Sequence, residues 1–137
     1  MIVSPEYFYR DLDLFGHAFE NFVLRDLLAY AQAHDAKLMH YCDDNGLEID
    51  AVFQMQDGRY ALIEIKTGVN AVPQAEANLL KFREVIRAHN VKAKLNKAHP
   101  GVVYLEPSVL VVVCANAPFS YTTENGVHVI PFSCLRD

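Results

Sequence analysis

The sequence predicts an α/β domain in which a mixed β-sheet is covered on its faces by helices. Two stretches carry apolar residues at the 3.6-residue spacing of a helix, and several short runs have the alternating or continuously apolar character of strands. The predicted order is helix, three strands, helix, strand, strand, and such interleaving indicates a mixed sheet between helices. A chain of 137 residues is the size of one such domain.

The first half of the chain is predicted to form one helix and three strands. Gly16 to Gln32 has helical periodicity, with apolar positions that include Phe19, Val23 and Leu27. Leu38 to Cys42 is a short first strand, and a turn rich in Asp, Asn and Gly follows it. The second and third strands are predicted at Leu47 to Gln56, which alternates cleanly, and at Tyr60 to Thr67.

The second half is predicted to form a helix and two further strands. Pro73 stands where a helix would begin, and Gln74 to His89 has helical periodicity. Asn90 to Pro107 is polar and then marked by Pro and Gly, so it is expected to be a long connection. Val109 to Cys114 is continuously apolar, as in the middle of a sheet, and Val127 to Ile130 follows an Asn-Gly turn.

Composition places the chain among ordinary globular proteins, with 52% hydrophobic and 21% charged residues. No apolar run approaches the ~20 residues of a membrane span, and the N-terminus lacks the features of a signal peptide. The three cysteines form no CxxC pair and are interpreted as reduced thiols, so a cytoplasmic location is expected. Residues 1–13 are expected to be an arm or the remnant of a linker, and 14–137 the domain.

The hairpin between the second and third strands brings two acids together. A two-residue loop would pair Asp50 with Ile65 and mix apolar and acidic faces. A three-residue loop at positions 56–58 instead pairs Ala51 with Ile63 and places Asp50 opposite Glu64. The register that keeps apolar residues together on one face is the favoured one. A three-residue loop needs a left-handed backbone conformation at its last residue, which glycine adopts readily. The same register is expected to place Glu48 opposite Lys66.

Facing carboxylates imply a cation. Asp50 and Glu64 repel one another across the ladder, so if buried they would take a proton or bind a cation. Lys66 supplies one positive charge on the same face, and Mg²⁺ (or Mn²⁺) would supply more, since it favours one or two carboxylates with waters and phosphate. This set suits phosphodiester hydrolysis, with Lys66 orienting the water or stabilising the transition state.

Glu20 is a candidate fourth member, because it leads the core-facing stripe of the first helix, where a carboxylate needs a partner. The alternative for the whole set is an exposed hairpin face with an incidental Glu and Lys pair. A transition-metal site at His40 and Cys42, which share a strand face, is a further alternative.

A basic segment follows the acids. Net charge is −5 overall, yet Lys81 to His99 contains six basic residues and one acid, and so carries +5. The segment is either a solvated helix face and loop or a phosphate-contacting patch. The candidate DNA-contacting residues are Lys81, Arg83, Arg87, Lys92 and Lys94.

These motifs resemble a known family. The stretch from Gly16 to Val23, the Glu48–Asp50 run and the Ile63–Lys66 run resemble the C-terminal domain of unknown function 4143 of prokaryotic AAA+ ATPases. That domain is similar to PD-(D/E)XK nucleases, which implies a restriction-endonuclease-like fold. The resemblance implies that Asp50, Glu64 and the Ile65 carbonyl hold the metal and that Lys66 and Glu20 complete the catalytic set. Glu48 and Gln74 would be auxiliary.

The resemblance implies a Mg²⁺-dependent DNA nuclease associated with an AAA+ ATPase module. No GxxxxGK[ST] motif is present, so this chain is not expected to bind ATP through a P-loop. Because fold alone does not establish activity, a non-catalytic module that binds DNA or a protein remains the alternative. A third alternative is a small interaction or antitoxin-like protein that uses the fold as a scaffold.

Overall fold

The structure is a computed structural model that describes residues 12–135. Its longer helices are α1 (Leu12–Ala33) and α2 (Val72–Leu95), and two short 3-10 helices lie at Val69–Ala71 and Phe132–Cys134. The strands are β1 (Lys37–Cys42), β2 (Glu48–Gln54), β3 (Tyr60–Lys66), β4 (Val109–Cys114), β5 (Tyr121–Thr122) and β6 (His128–Pro131). No helix within residues 12–135 has both the length and the hydrophobicity to cross a membrane.

The strands form one mixed sheet in the order β1-β2-β3-β4-β6-β5. β1, β2 and β3 form an antiparallel meander. β4 then lies parallel to β3, β6 parallel to β4, and β5 antiparallel to β6. α2 is the crossover between β3 and β4, since a parallel pair needs a long connection. The predicted mixed sheet with interleaved helices is confirmed.

Each helix buries a different face of the sheet. The α1-side core joins Phe19, Val23 and Leu27 to sheet residues such as Ala51 and Ile63. The α2-side core joins residues of α2 to the other face of the same strands; its members include Val72, Ala75, Leu79, Phe82, Leu62, Val112 and Val129. Leu62 and Ile63 therefore point to opposite cores, as alternation along a strand requires.

α1 buries a narrower stripe than predicted. Phe19, Val23, Leu27 and Ala31 recur every fourth residue and are buried. Phe22, expected on the same face, is 57% exposed. Each residue advances about 100° around a helix, so only the every-fourth-residue set remains against the sheet.

The structure departs from the prediction in three main places, and the other predicted helix and strand ends agree to within two residues. α2 continues to Leu95, six residues beyond His89, so the first third of the predicted connection is helical. Asn90 supports this end, since its side-chain amide donates to the Tyr104 carbonyl at 2.8 Å and its Oδ1 accepts the Tyr104 amide at 2.9 Å. Strand β5 was not predicted, because two residues carry no periodicity. α1 begins at Leu12, inside the expected arm, whose residues 1–11 lie outside the described range.

Candidate functional site

The β2–β3 hairpin has the predicted register. The Met55 amide donates to the Arg59 carbonyl at 2.8 Å, which closes a three-residue loop in which Gly58 has φ +91°. Ala51 then pairs with Ile63, as expected. The register argument from hydrophobic faces is therefore confirmed.

A β-bulge in β2 alters the direction of Asp50. Met39 pairs with Val52 and Tyr41 with Ile49, so β2 has one residue more than β1 between these pairs. Ile49 consequently lies in the α2-side core and not on the face of Ala51, which corrects the predicted alternation. A bulge re-aims the side chains next to it. Here Asp50 lines a cavity together with Glu20 of α1.

The paired ladder between β2 and β3 runs from Gln54 and Tyr60 to Ala51 and Ile63. Beyond it, the Ile65 amide donates to Asp50 Oδ2 at 2.8 Å. A backbone donor thus orients the Asp50 carboxylate at the end of the ladder. The Ile65 carbonyl, predicted as a metal ligand, remains a prediction.

Glu64 is the main electrostatic feature of the site. It is 1% exposed and is the one buried charged residue in the described part of the chain. Lys66 Nζ lies 3.6 Å from Glu64 Oε2, and Glu64 Oε1 has no hydrogen-bond partner among residues 15–135. Burial, followed by the nearby Asp50 charge, raises the pKa of Glu64 to about 8, although Lys66 opposes this. An ionised carboxylate in this position is costly, so at neutral pH Glu64 takes a proton unless a further cation is bound.

Glu20 belongs to the same electrostatic group. Burial and the Asp50 carboxylate raise its pKa, while His17 and Lys66 partly offset that rise. The structure therefore brings together the four residues predicted to form the site; we call Glu20, Asp50, Glu64 and Lys66 the carboxylate site. Within the described residues, no group of three or more His, Cys, Asp and Glu side chains has an arrangement that would enclose a metal by itself.

The two predicted auxiliary residues have other partners. Glu48 Oε1 forms an ion pair with His40 Nε2 at 3.0 Å, and Lys66 pairs with Glu64. The β2–β3 ladder ends at Ala51 and Ile63, so it includes neither the predicted pairing of Glu48 with Lys66 nor that of Asp50 with Glu64. Gln74 is exposed, and its amide donates to Asn78 Oδ1 at 3.2 Å, one turn along α2. The alternative metal site of His40 and Cys42 also lacks support, since His40 pairs with Glu48.

The basic segment is only partly available for phosphate. Arg87 forms an ion pair with Glu106 and a longer one, at 3.4 Å, with Glu84. The prediction that Arg87 is free to contact DNA is therefore wrong. Arg83 Nε is buried without a hydrogen-bond partner in residues 15–135. The remaining candidates are exposed and form no ion pair with another described residue; they are Lys81, Lys92 and Lys94.

Sequence reasoning did not predict the supporting roles of His40 and Asn116. His40 lies across from the bulge, with Nδ1 3.4 Å from the Asp50 carbonyl oxygen. Asn116 Oδ1 accepts the Val69 amide at 2.9 Å and so anchors the loop that follows Lys66. Both contacts join residues far apart in the chain, so no local pattern could have indicated them.

Comparison with known proteins identifies the domain. Searches against curated proteins and against solved structures give no match. The model of one family, Domain of unknown function (DUF4143), matches residues 15–135, which is nearly the whole chain. The match includes all four residues of the carboxylate site and the strands that hold them. The chain therefore belongs to the DUF4143 family.

Proposed function

We propose that this chain is a Mg²⁺- or Mn²⁺-dependent phosphodiesterase that cleaves DNA, with a PD-(D/E)XK, restriction-endonuclease-like domain. One observation carries the proposal. Glu64 is buried beside Asp50 with an unpartnered oxygen, and the Lys66 ammonium lies 3.6 Å from its other oxygen. An incidental surface pair of Glu and Lys would not be buried in this way.

The residues present fit a divalent cation. Asp50 and Glu64 would hold it, with the Ile65 carbonyl as a further ligand and waters and substrate phosphate completing the shell. The unpartnered Glu64 Oε1 is an atom that such an ion would satisfy. When bound, the ion would lower the pKa of a water and neutralise charge that develops on phosphate.

The chain's own side chains have distinct roles in this proposal. The Ile65 amide keeps the Asp50 carboxylate in place. Lys66 is partly exposed, so its ammonium can donate to an attacking water or to a phosphate oxygen. Glu20, whose pKa is raised by burial, can accept a proton at the α1 edge of the site.

The proposed substrate rests on charge, and the proposed partner rests on the family resemblance. Lys81, Lys92 and Lys94 on α2 would contact DNA phosphates. The net charge of −5 makes affinity for a polyanion low and strongly dependent on salt. As the family resemblance implies, an AAA+ ATPase module in the cytoplasm would deliver the DNA.

A non-catalytic module is the second candidate, and an exposed apolar surface favours it. Tyr104 and Leu105 are each more than half exposed, and they line one pocket together with Val103, which is 49% exposed. Exposed apolar side chains near one another mark protein-binding surfaces. In this alternative the domain binds a partner protein or DNA, and the carboxylate site has no chemical role.

A nuclease assay tests the proposal. Wild type is incubated at low salt with Mn²⁺ or Mg²⁺ and single-stranded DNA, duplex DNA or RNA, beside Lys66→Ala and Asp50→Ala. Glu48→Gln is the matched control, since Glu48 is a nearby acid that pairs with His40. Metal-dependent cleavage of DNA that both Ala variants lose and the control keeps is expected.

Two results would contradict the proposal. Cleavage that persists in both Ala variants indicates a contaminating enzyme. No cleavage by wild type, together with DNA binding that Lys81→Glu weakens and Lys66→Ala leaves unchanged, supports the non-catalytic module.

A further inference from the structure

A cavity of about 420 Å³ adjoins the carboxylate site between α1 and strands β1 and β2. Glu20 and Asp50 form part of its wall. The rest is mainly aliphatic, from Leu24, Leu28, Leu38 and Met39. Its size lies within the range of ordinary small-molecule sites. A ligand that reaches the carboxylates from this side must place an apolar part against these side chains.

The other two lining residues are basic in character. Arg25 and His40 complete the wall. Arg25 forms no ion pair with any residue in the described range, whereas His40 is engaged by Glu48. A free guanidinium favours a ligand with a negative charge, and Arg commonly contacts phosphate. The cavity thus combines an aliphatic wall, a cationic donor and two acids of the carboxylate site, of which Asp50 is a proposed metal ligand and Glu20 a proposed proton acceptor.

We propose that this cavity binds the base of one unpaired nucleotide next to the scissile phosphate, so that single-stranded or frayed DNA is the preferred substrate. The inference rests on the proposed function, because the scissile phosphate is placed at the carboxylate site. A nucleotide has a flat base, whose polar groups lie on its edge and whose faces are weakly polar, attached to a phosphate. A base face against the aliphatic wall and a phosphate near the cation match the cavity. Duplex DNA covers the faces of each base by stacking, so a paired base must leave the helix before it can enter.

The cavity predicts little base specificity. Leu28 and Met39 contribute contacts with the face of a base and no hydrogen bonds to its edge. Contact with the face is tolerant of sequence because every base has one. We therefore expect all four nucleotides to bind with similar affinity.

A binding experiment tests the inference without turnover. Calorimetry in Mg²⁺ compares dAMP with deoxyribose 5-phosphate, which lacks the base. Wild type should bind dAMP on the order of tenfold more tightly. The double variant Leu28→Ala, Met39→Ala should lose this preference and keep its affinity for deoxyribose 5-phosphate.

The matched control is Phe22→Ala, Met55→Ala. Phe22 is 57% exposed and Met55 38%, similar to Leu28 at 47% and Met39 at 41%, and neither lines the cavity. The control should keep the preference for dAMP. Equal binding of the two probes by wild type, or a preference that survives in Leu28→Ala, Met39→Ala, would overturn the inference.

Cleavage separates this inference from the proposed function. An active enzyme that cuts duplex and single-stranded DNA at equal rates refutes the unpaired-base cavity and leaves the nuclease proposal standing. Base-dependent binding by a protein that cleaves nothing refutes the nuclease proposal and supports the cavity as a nucleotide site. The nuclease proposal and the cavity inference are both supported if wild type cuts single strands at least about tenfold faster than duplex DNA. The double variant Leu28→Ala, Met39→Ala should then lose this preference.

Discussion

Replacing Glu64 by Gln removes the buried ionisable group of the carboxylate site with almost no change in side-chain size. In the protein without metal, the pKa of Glu64 is about 8, against 4.5 for the unperturbed group. The folded state therefore holds this proton more tightly than the unfolded state. The contribution of this group to stability is fully present below about pH 4.5, where Glu64 is protonated in both states. That contribution is lost as pH rises toward the folded pKa of about 8.

The size of the effect follows from this difference in pKa. Each unit corresponds to roughly 1.4 kcal/mol, so the loss of stability by neutral pH is on the order of 3 kcal/mol. Glu64→Gln cannot ionise and should lack this loss. Its free energy of unfolding should therefore exceed that of wild type at about pH 8 by a few kcal/mol, and the gain should shrink at about pH 5.

Urea denaturation in EDTA at several pH values measures the effect, and a second series adds Mg²⁺. Wild type should regain stability with Mg²⁺ at high pH, because a cation stabilises the ionised pair, whereas Glu64→Gln should not respond. Glu48→Gln is the control, since the Glu48 side chain is 65% exposed and should leave the pH dependence intact. Identical pH dependence in wild type and Glu64→Gln would refute the reasoning.

Four further outcomes are expected. Asp50→Asn keeps an acceptor for the Ile65 amide and removes the charge that raises the Glu64 pKa, so calorimetry should show metal affinity lower by at least about tenfold without a loss of stability; unchanged metal binding would exclude Asp50 as a ligand. Lys66→Met should reduce the cleavage rate by about 100-fold or more while metal binding persists, and equal rates would assign Lys66 a structural role. His40→Ala should weaken metal binding, because it removes a contact that holds the bulge at Asp50. Metal affinity equal to that of wild type would show that His40 does not support the bulge. Gly58→Ala should cost about 1–2 kcal/mol in urea denaturation, because φ is +91°, and a neutral effect would mean that the loop relaxes.

Patterns over a few neighbouring residues were enough to predict the helices, most of the strands and the β2–β3 register. The helices, the strands and the β2–β3 register depend on the spacing of apolar residues and on a glycine at the end of a short loop. These interactions act over a few residues, so the pairing of Ala51 with Ile63 could be derived from the sequence. The grouping of Glu20 with the β2 and β3 acids followed from its place on the core-facing stripe of α1, and the resemblance to the DUF4143 family agreed with it. The family is now confirmed.

Tertiary structure decided the features that join distant residues. The sequence predicts Arg87 to be a free cation, but Glu106, 19 residues further along the chain, pairs with it and neutralises its charge. The bulge at Asp50 arises from a mismatch of one residue between β1 and β2, and it reverses the face of Ile49. The unpartnered oxygen of Glu64 likewise depends on what packs around it. The sequence determined which residues form the carboxylate site; only packing between separate strands and helices decided their direction, burial and charge, because those depend on contacts that no local pattern encodes.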